Sequence, residues 1–341
     1  LNHLGRVSDA VALARNMIEL PRHPKYNSLA KPGAPTEFGK RGSARYGRTR
    51  LLETLLRYEM WEEIIDASQT VYLEPTTIPE EQAKRLAAVG AAHYALGQAE
   101  KGAGVLGQFG DLEDAVKERK RAALAKAEKE AKKGKKNEKE TKKARENAVK
   151  PFDDRLKTIH QYRAELLAYQ AVEDGDADAF KQQIAKAGKL SHGRKSQLHL
   201  QIGDKAEAVK LAAKAARTEA QVQPLANHAD ILWRSGKEKE AIEQFKKLRG
   251  LSAHLDIERA VFQRLAPIAQ KLGLPDDWRV AFQPANDIGD RPSLDTLGPF
   301  RWTPSPAPRW ELTDGQGKQH SLADYAGRPV IIIFYLGKGC A

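Results

Sequence analysis

Four stretches of the chain share one spacing: a glycine, a small or apolar residue five positions later, and another four after that. They are Gly5, Ala10 and Ala14; Gly97, Gly102 and Leu106; Gly203, Ala208 and Ala212; and Gly236, Ala241 and Phe245. A glycine takes the left-handed conformation that ends a helix. Two residues four apart on the following helix face one side and pack back on the first. The spacing therefore predicts helix-turn-helix units. Weaker copies stand at Gly175, Phe180 and Ile184, and around Trp61, Ile64 and Val71, where Glu59 takes the turn position. From Leu1 to about Leu272, apolar residues at three- and four-residue spacing, set among many Ala, Leu, Glu, Lys and Gln, predict helix throughout.

Gly203 and Gly236 lie 33 residues apart, close to the period of about 34 residues of a tetratricopeptide repeat. Gly90 seven before Gly97, Trp233 three before Gly236, and Pro75 after the segment Trp61 to Tyr72 also sit where that family's pattern expects them. Residues 1–272 thus resemble a tetratricopeptide-like helical array, with an irregular helical bundle as the alternative. The resemblance implies a face that binds a protein or peptide.

Charge is uneven. The chain carries 57 Lys plus Arg against 45 Asp plus Glu, a net +12. Fifteen Lys or Arg and six Glu fall between Lys117 and Lys150, so +9 of that excess sits in one helical insertion, 117–150. Gly134 and Asn137 mark a break, leaving two helical arms or a partly disordered hairpin. Clustered Lys would gain by releasing counterions from a polyanion. The segment has no aromatic residue for stacking and mixes Ala and Glu with Lys, which argues for a solvated insertion and against nucleic acid.

The seven prolines from Pro275 to Pro308 exclude long helices and predict a Pro-rich linker, 273–308. Its aromatic residues Trp278, Phe282, Phe300 and Trp302 predict that it docks on other structure. After it, Trp310 to Thr313, the turn Asp314 to Gly317, and Gln319 to Ser321 predict a β-hairpin. Ser321 is placed to cap a short helix over Leu322 to Tyr325, closed by Gly327. Val330 to Tyr335 reads as a strand buried on both faces, followed by Leu336-Gly337-Lys338-Gly339-Cys340.

This order of elements resembles the start of the thioredoxin-like fold in its redoxin form, the alkyl hydroperoxide reductase and thiol-specific antioxidant group. The stretch His320-Ser-Leu-Ala-Asp-Tyr-Ala-Gly-Arg-Pro329 precedes the apolar run, and Cys340 follows it where that family carries a reactive cysteine. The resemblance implies a thiol-dependent oxidoreductase domain beginning at 309–341 and truncated there, with Cys340 as nucleophile and a thiol reductant as partner. Lys338, beside a strand-to-helix turn, would lower the thiol pKa. Peroxiredoxins proper carry Pro-x-x-x-Thr-x-x-Cys, whereas Ile333 and Gly337 occupy those positions here. Peroxide reduction and disulfide exchange both stay open. The fold class expected is mainly α: a tetratricopeptide-like array, a Pro-rich linker and a truncated α/β thioredoxin-like segment.

Several other chemistries lose their basis. A single Cys excludes an intramolecular disulfide and a Cys-based zinc site. The longest apolar run, Val330 to Leu336, falls far short of the roughly 18 residues of a membrane span. Gly102-Ala-Gly104-Val-Leu-Gly107 spells a dinucleotide fingerprint, but its flanks are helical, so those glycines are expected to serve close helix packing. His199 and His228 fall on repeat helices as packing or surface residues. Neither Asp153 with Asp154 nor Glu62 with Glu63 makes a catalytic pair, since neighbours on a helix point apart. No cofactor or metal is called for, and the compartment is left open.

Overall fold

In the computed structural model, the described residues are 1–20, 43–135, 137–217, 221–283, 293, 309–328 and 330–331. They form two compact units, 1–301 and 302–341. The first is mainly helical. Its helices are α1 (Val7–Glu19), α2 (Ser43–Arg57), α3 (Trp61–Ser68), α4 (Pro79–Ala95), α5 (Ala99–Lys133), α6 (Glu138–Glu173), α7 (Ala177–Lys186), α8 (His192–Gln201), α9 (Lys205–Ala215), α10 (Val222–Arg234), α11 (Glu238–Gly250), α12 (Ala260–Gln263) and α13 (Ala266–Lys271).

Ten of these form five consecutive hairpins, α2/α3 to α10/α11, and one turn builds all five. Glu59, Gly97, Gly175, Gly203 and Gly236 have φ of 57, 69, 68, 92 and 81°. The amide of the next residue reaches the carbonyl five positions back in each: Met60 to Leu55, Gln98 to His93, Asp176 to Ala171, Asp204 to His199 and Lys237 to Leu232, at 2.8 to 2.9 Å. This is the Schellman closure, which satisfies carbonyls that the ending helix leaves orphaned. In two hairpins the second helix is capped at once, since the Asp176 and Asp204 side chains accept from the Ala179 and Glu207 amides.

The residue five past each turn is buried: Ile64, Gly102, Phe180, Ala208 and Ala241. Gly102 is small because a Cβ there would lie 2.7 Å from the Tyr94 ring, so α4 and α5 touch closely. Gly104 and Gly107 face open space, so of the fingerprint glycines only Gly102 serves packing. Val71 is 58% exposed, and the partner of Ile64 in that hairpin is the buried Ser68 instead. The helix ends at Ser68, which puts Val71 past the face that packs.

One hydrophobic cluster runs from Val7 to Trp278. It is continuous because the two ends of the helical body meet. The Asp256 amide donates to the Gly5 carbonyl at 2.9 Å, and Asp256 Oδ2 accepts from the Ser8 amide at 2.7 Å. Tyr58 at the end of α2 packs on Phe262 of α12 with ring centroids 6.1 Å apart. At Gly5, φ of +76° and a Leu255 Cβ only 2.7 Å from where a Cβ would stand require glycine.

The Lys-rich insertion consists of two helical arms continuous with the body, the far half of α5 and the near half of α6. Asn137 and Glu140 close a reciprocal capping box at the tip. Glu128 pairs across the arm with Arg145 at 3.1 Å. The linker docks at its start: Trp278 is 2% exposed, packs tilted against Phe245 with ring centroids 4.9 Å apart, and its carbonyl accepts from Arg249 Nε at 2.8 Å. Phe300 and Trp302 lie outside the described residues.

The second unit holds β1 (Glu311–Thr313) and β2 (Gln319–Ser321), paired antiparallel with Leu312 opposite His320. Ser321 and Asp324 form a capping box on a 3-10 turn over Leu322–Tyr325, and Gly327 follows at φ 80°. Val330 and Ile331 lie outside regular structure, and Ile331 is 90% exposed. The expected buried strand therefore does not begin there, since the sheet among the described residues has only two strands and covers neither residue. The rest of that run, with Lys338 and Cys340, lies outside the described residues. No described helix is long and apolar enough to cross a membrane.

Candidate functional site

The hairpin series borders a half-open cavity of about 650 Å³. The first helix of all five hairpins contributes to it: Leu56 and Arg57 of α2, Lys84 and Ala88 of α4, Glu165 and Tyr169 of α6, Arg194 and Gln197 of α8, and Pro224 and Asn227 of α10. The second helices pack behind, apart from Lys214 and Ala215 at the end of α9.

Its floor is a buried polar network. Asn227 Nδ2 donates to Ser196 Oγ at 2.9 Å, and Gln197 Nε2 donates to Asn227 Oδ1 and to Asp230 Oδ2 at 3.3 Å. Asp230 also accepts from Arg264 Nε at 3.1 Å. The other edge of the Arg264 fork grips both oxygens of Glu59 at 2.9 and 3.0 Å. Arg194, laid over the Trp61 ring at 4.5 Å, reaches the same carboxylate at 3.8 Å.

Glu59 explains its own exceptional place. It is the one turn of the five without glycine, at φ 57°, and a non-glycine residue there costs about 1–2 kcal/mol. The turn points its carboxylate at two guanidiniums, and an unpaired buried charge would cost more. Burial pushes the Glu59 carboxyl up, but Arg194 and Arg264 outweigh it and hold it below the ordinary range. Burial also raises Asp230, only partly offset by Arg264 and Arg234.

Glu165 is different. Burial pushes its carboxyl up to about 7, opposed only in part by Arg194, Lys84 and Lys195. Beside it Tyr162 is pushed up to about 12, and burial raises Tyr169 as well. At the mouth, His192 is held below its ordinary value, first by burial and then by Lys214 and Lys195.

Lys84, Lys189 and Lys214 form no ion pair among the described residues. Arg57 spends its charge on the neutral Gln221, at 3.2 Å. The lining is thus cation-rich: Arg57, Lys84, Lys189, Arg194 and Lys214 against Glu53, Glu59 and Glu165. No described group of three or more His, Cys, Asp or Glu side chains could hold a metal ion.

Of the residues singled out from sequence, His199 packs edge-on against Phe180 at 5.0 Å and bonds Asp204 at 3.0 Å. His228 is pulled below its ordinary value by burial. Both serve the scaffold. In the hairpin unit, Asp314 accepts from the Gln316 and Lys318 amides at 2.8 and 2.9 Å and faces His320 Nε2 at 3.1 Å. The Lys318 amide, then His320 and the Gln316 amide, hold the Asp314 carboxyl below its usual range. These bonds fix the turn ahead of the segment that carries Cys340. The sequence pattern does not predict the cavity. Its one signal at that level is Glu59, a charged residue where the other turns have glycine.

Comparison with protein-family models, with curated proteins and with solved structures finds no match to this chain.

Proposed function

We propose that the helical body is a tetratricopeptide-like interaction scaffold whose inner face binds a protein or peptide partner, and that it carries a thiol-dependent oxidoreductase of the redoxin type. The carrying observation is the cavity lined by the first helix of five successive hairpins. A stack of hairpins that turns equivalent helices inward gathers residues from distant parts of the chain onto one surface, which is how repeat scaffolds bind.

The oxidoreductase reading is supported by the hairpin β1/β2 and the capped turn at Ser321, which stand in the order expected ahead of Val330. The Cys340 thiolate attacks one oxygen of a peroxide, breaking the O–O bond. It becomes a sulfenic acid while an alcohol or water leaves with a proton. Two thiols of a reductant then restore it, giving water and a disulfide. With a disulfide substrate, the same thiolate forms a mixed disulfide and expels a thiolate.

Cys340 is the one Cys of residues 1–341, and its alkylation is followed on the peptide that carries it by mass spectrometry. The complete protein, with whatever sequence follows Ala341, should react with iodoacetamide at pH 7 faster than an unstructured thiol. The rate should drop with Lys338→Ala. A rate equal to that of a free thiol, or a buried and inert sulfur, would refute the oxidoreductase reading and leave the scaffold reading intact. For the scaffold, a photo-crosslinker at Leu190 on the cavity should capture a defined partner that one at Lys239 does not. Equal capture from both would refute it.

A further inference from the structure

We propose that the cavity binds a small, multiply charged phosphate ligand, held between Lys84, Lys189, Lys214 and the N-terminus of α8. The inference rests on the scaffold reading for the identity of the inner face, and it names the chemistry that face selects. Three observations carry it.

The first is the charge balance. On the floor, Arg194, Arg234 and Arg264 share only two carboxylates, Glu59 and Asp230. Lys84, Lys189 and Lys214 line the same cavity and have no ion pair among the described residues. Arg194 Nη2 is buried with no hydrogen-bond partner among those residues. Glu53, also on the lining, is engaged by Arg50 at 2.8 Å. Glu165 faces Lys84 but is held partly protonated by burial, its pKa raised to about 7, so cations outnumber counter-charges in this cavity, and a multivalent anion relieves their repulsion.

The second is the backbone. Ser191, His192, Gly193 and Arg194 all border the cavity, and they open α8, a helix of 10 residues. Ser191 Oγ accepts the Arg194 amide at 3.2 Å, so the His192 and Gly193 amides are left without a partner among the described residues. A Cβ at residue 193 would meet nothing closer than Asn227 Nδ2 at 3.8 Å. The space beside these amides is therefore open, and helix-terminal amides bordering a cationic cavity suit a phosphoryl oxygen.

The third is size and donor type. A volume of about 650 Å³ lies within the roughly 300–1,000 Å³ of small-molecule sites. Lys donors act as point charges suited to phosphate rather than as planar forks for a single carboxylate. His192 already reports the positive potential, being lowered by Lys214 and Lys195 after burial.

Isothermal titration of the full chain with sodium tripolyphosphate tests the assignment. Removing one charge-assisted hydrogen bond should weaken binding about tenfold. Lys189→Ala with Lys214→Ala should therefore weaken it by about tenfold or more. Lys126→Ala with Lys129→Ala, the same charge change on the arm, should alter it less than about twofold. All four side chains sit on the surface or the cavity rim, and circular dichroism confirms folding before titration. Three results overturn the inference. One is no tripolyphosphate binding at millimolar concentration. Another is equal weakening by the two double variants, which marks diffuse counterion attraction. The third is a phosphoserine peptide that binds through Lys189 and Lys214 while tripolyphosphate does not, which assigns the cavity to a modified partner segment. Each of these leaves the crosslinking test of the scaffold unaffected.

Discussion

Replacing Glu165 with Gln should remove a pH dependence that wild type carries. The carboxyl is buried among Tyr162, Tyr169 and Ala88, and its pKa stands at about 7 against an ordinary 4.5. Between those values the native state holds the proton more tightly than the unfolded chain does. Stability from this group is therefore complete below 4.5 and is lost as pH rises to about 7. A shift of that size corresponds to an upper limit of about 3 kcal/mol. Lys84, Arg194 and Lys195 face Glu165 and limit the shift without cancelling it. Gln keeps the shape and never ionises, so the difference in stability between variant and wild type isolates this one group from every other titration. Urea unfolding of both proteins from pH 4.5 to 8.5 should show the variant gaining on wild type by about 2–3 kcal/mol, with most of the gain between pH 5 and 7.5. A difference that stays flat, or falls with pH, would mean that the fold prefers the ionised carboxylate, the opposite of what burial dictates.

Two further outcomes follow from packing. Gly90→Ala sets a Cβ 2.5 Å from Leu166 Cδ2, in the seam between α4 and α6, and should cost about 1–3 kcal/mol in urea unfolding. Gly104→Ala, in open space on α5, should instead gain up to about 1 kcal/mol; equal effects would show that the two sites are not so distinguished. Replacing residues 122–146 with a short Gly-Ser link should leave the unfolding midpoint of the body unchanged, because the arm helices pack on each other there, as Arg145 does on Glu128. A large fall would show that the tip stabilises the body.

What the sequence disclosed was local. A glycine needed at positive φ is visible wherever it stands, so Gly5, Gly97, Gly175, Gly203 and Gly236 marked their turns, and Glu59 was placed at a turn of the same kind. The residues five further on were buried for the same reason, since one turn of fixed shape delivers the next helix at a fixed angle. Gly134 and Asn137 likewise marked the tip between α5 and α6. The cavity was hidden because its residues meet only in the fold. Arg264 and Glu59 are 205 positions apart, and Lys84, Lys189 and Lys214 read in sequence as ordinary cations on solvated helix faces. Val71 misled because a helix of eight residues, Trp61–Ser68, stops one turn before an apolar residue that continues its pattern.

The helical body depends on its first hairpin meeting the segment that follows the last one, and a double-mutant cycle on Glu59 in the α2/α3 turn and Arg264 at the end of α12 reads that meeting directly. Glu59→Gln, Arg264→Met and the double variant, unfolded in urea, should give a coupling energy of about 1–3 kcal/mol, because two hydrogen bonds join the pair in a buried site. A coupling under about 0.3 kcal/mol would mean that these residues never touch and that the body stays open between its first hairpin and the segment after its last one.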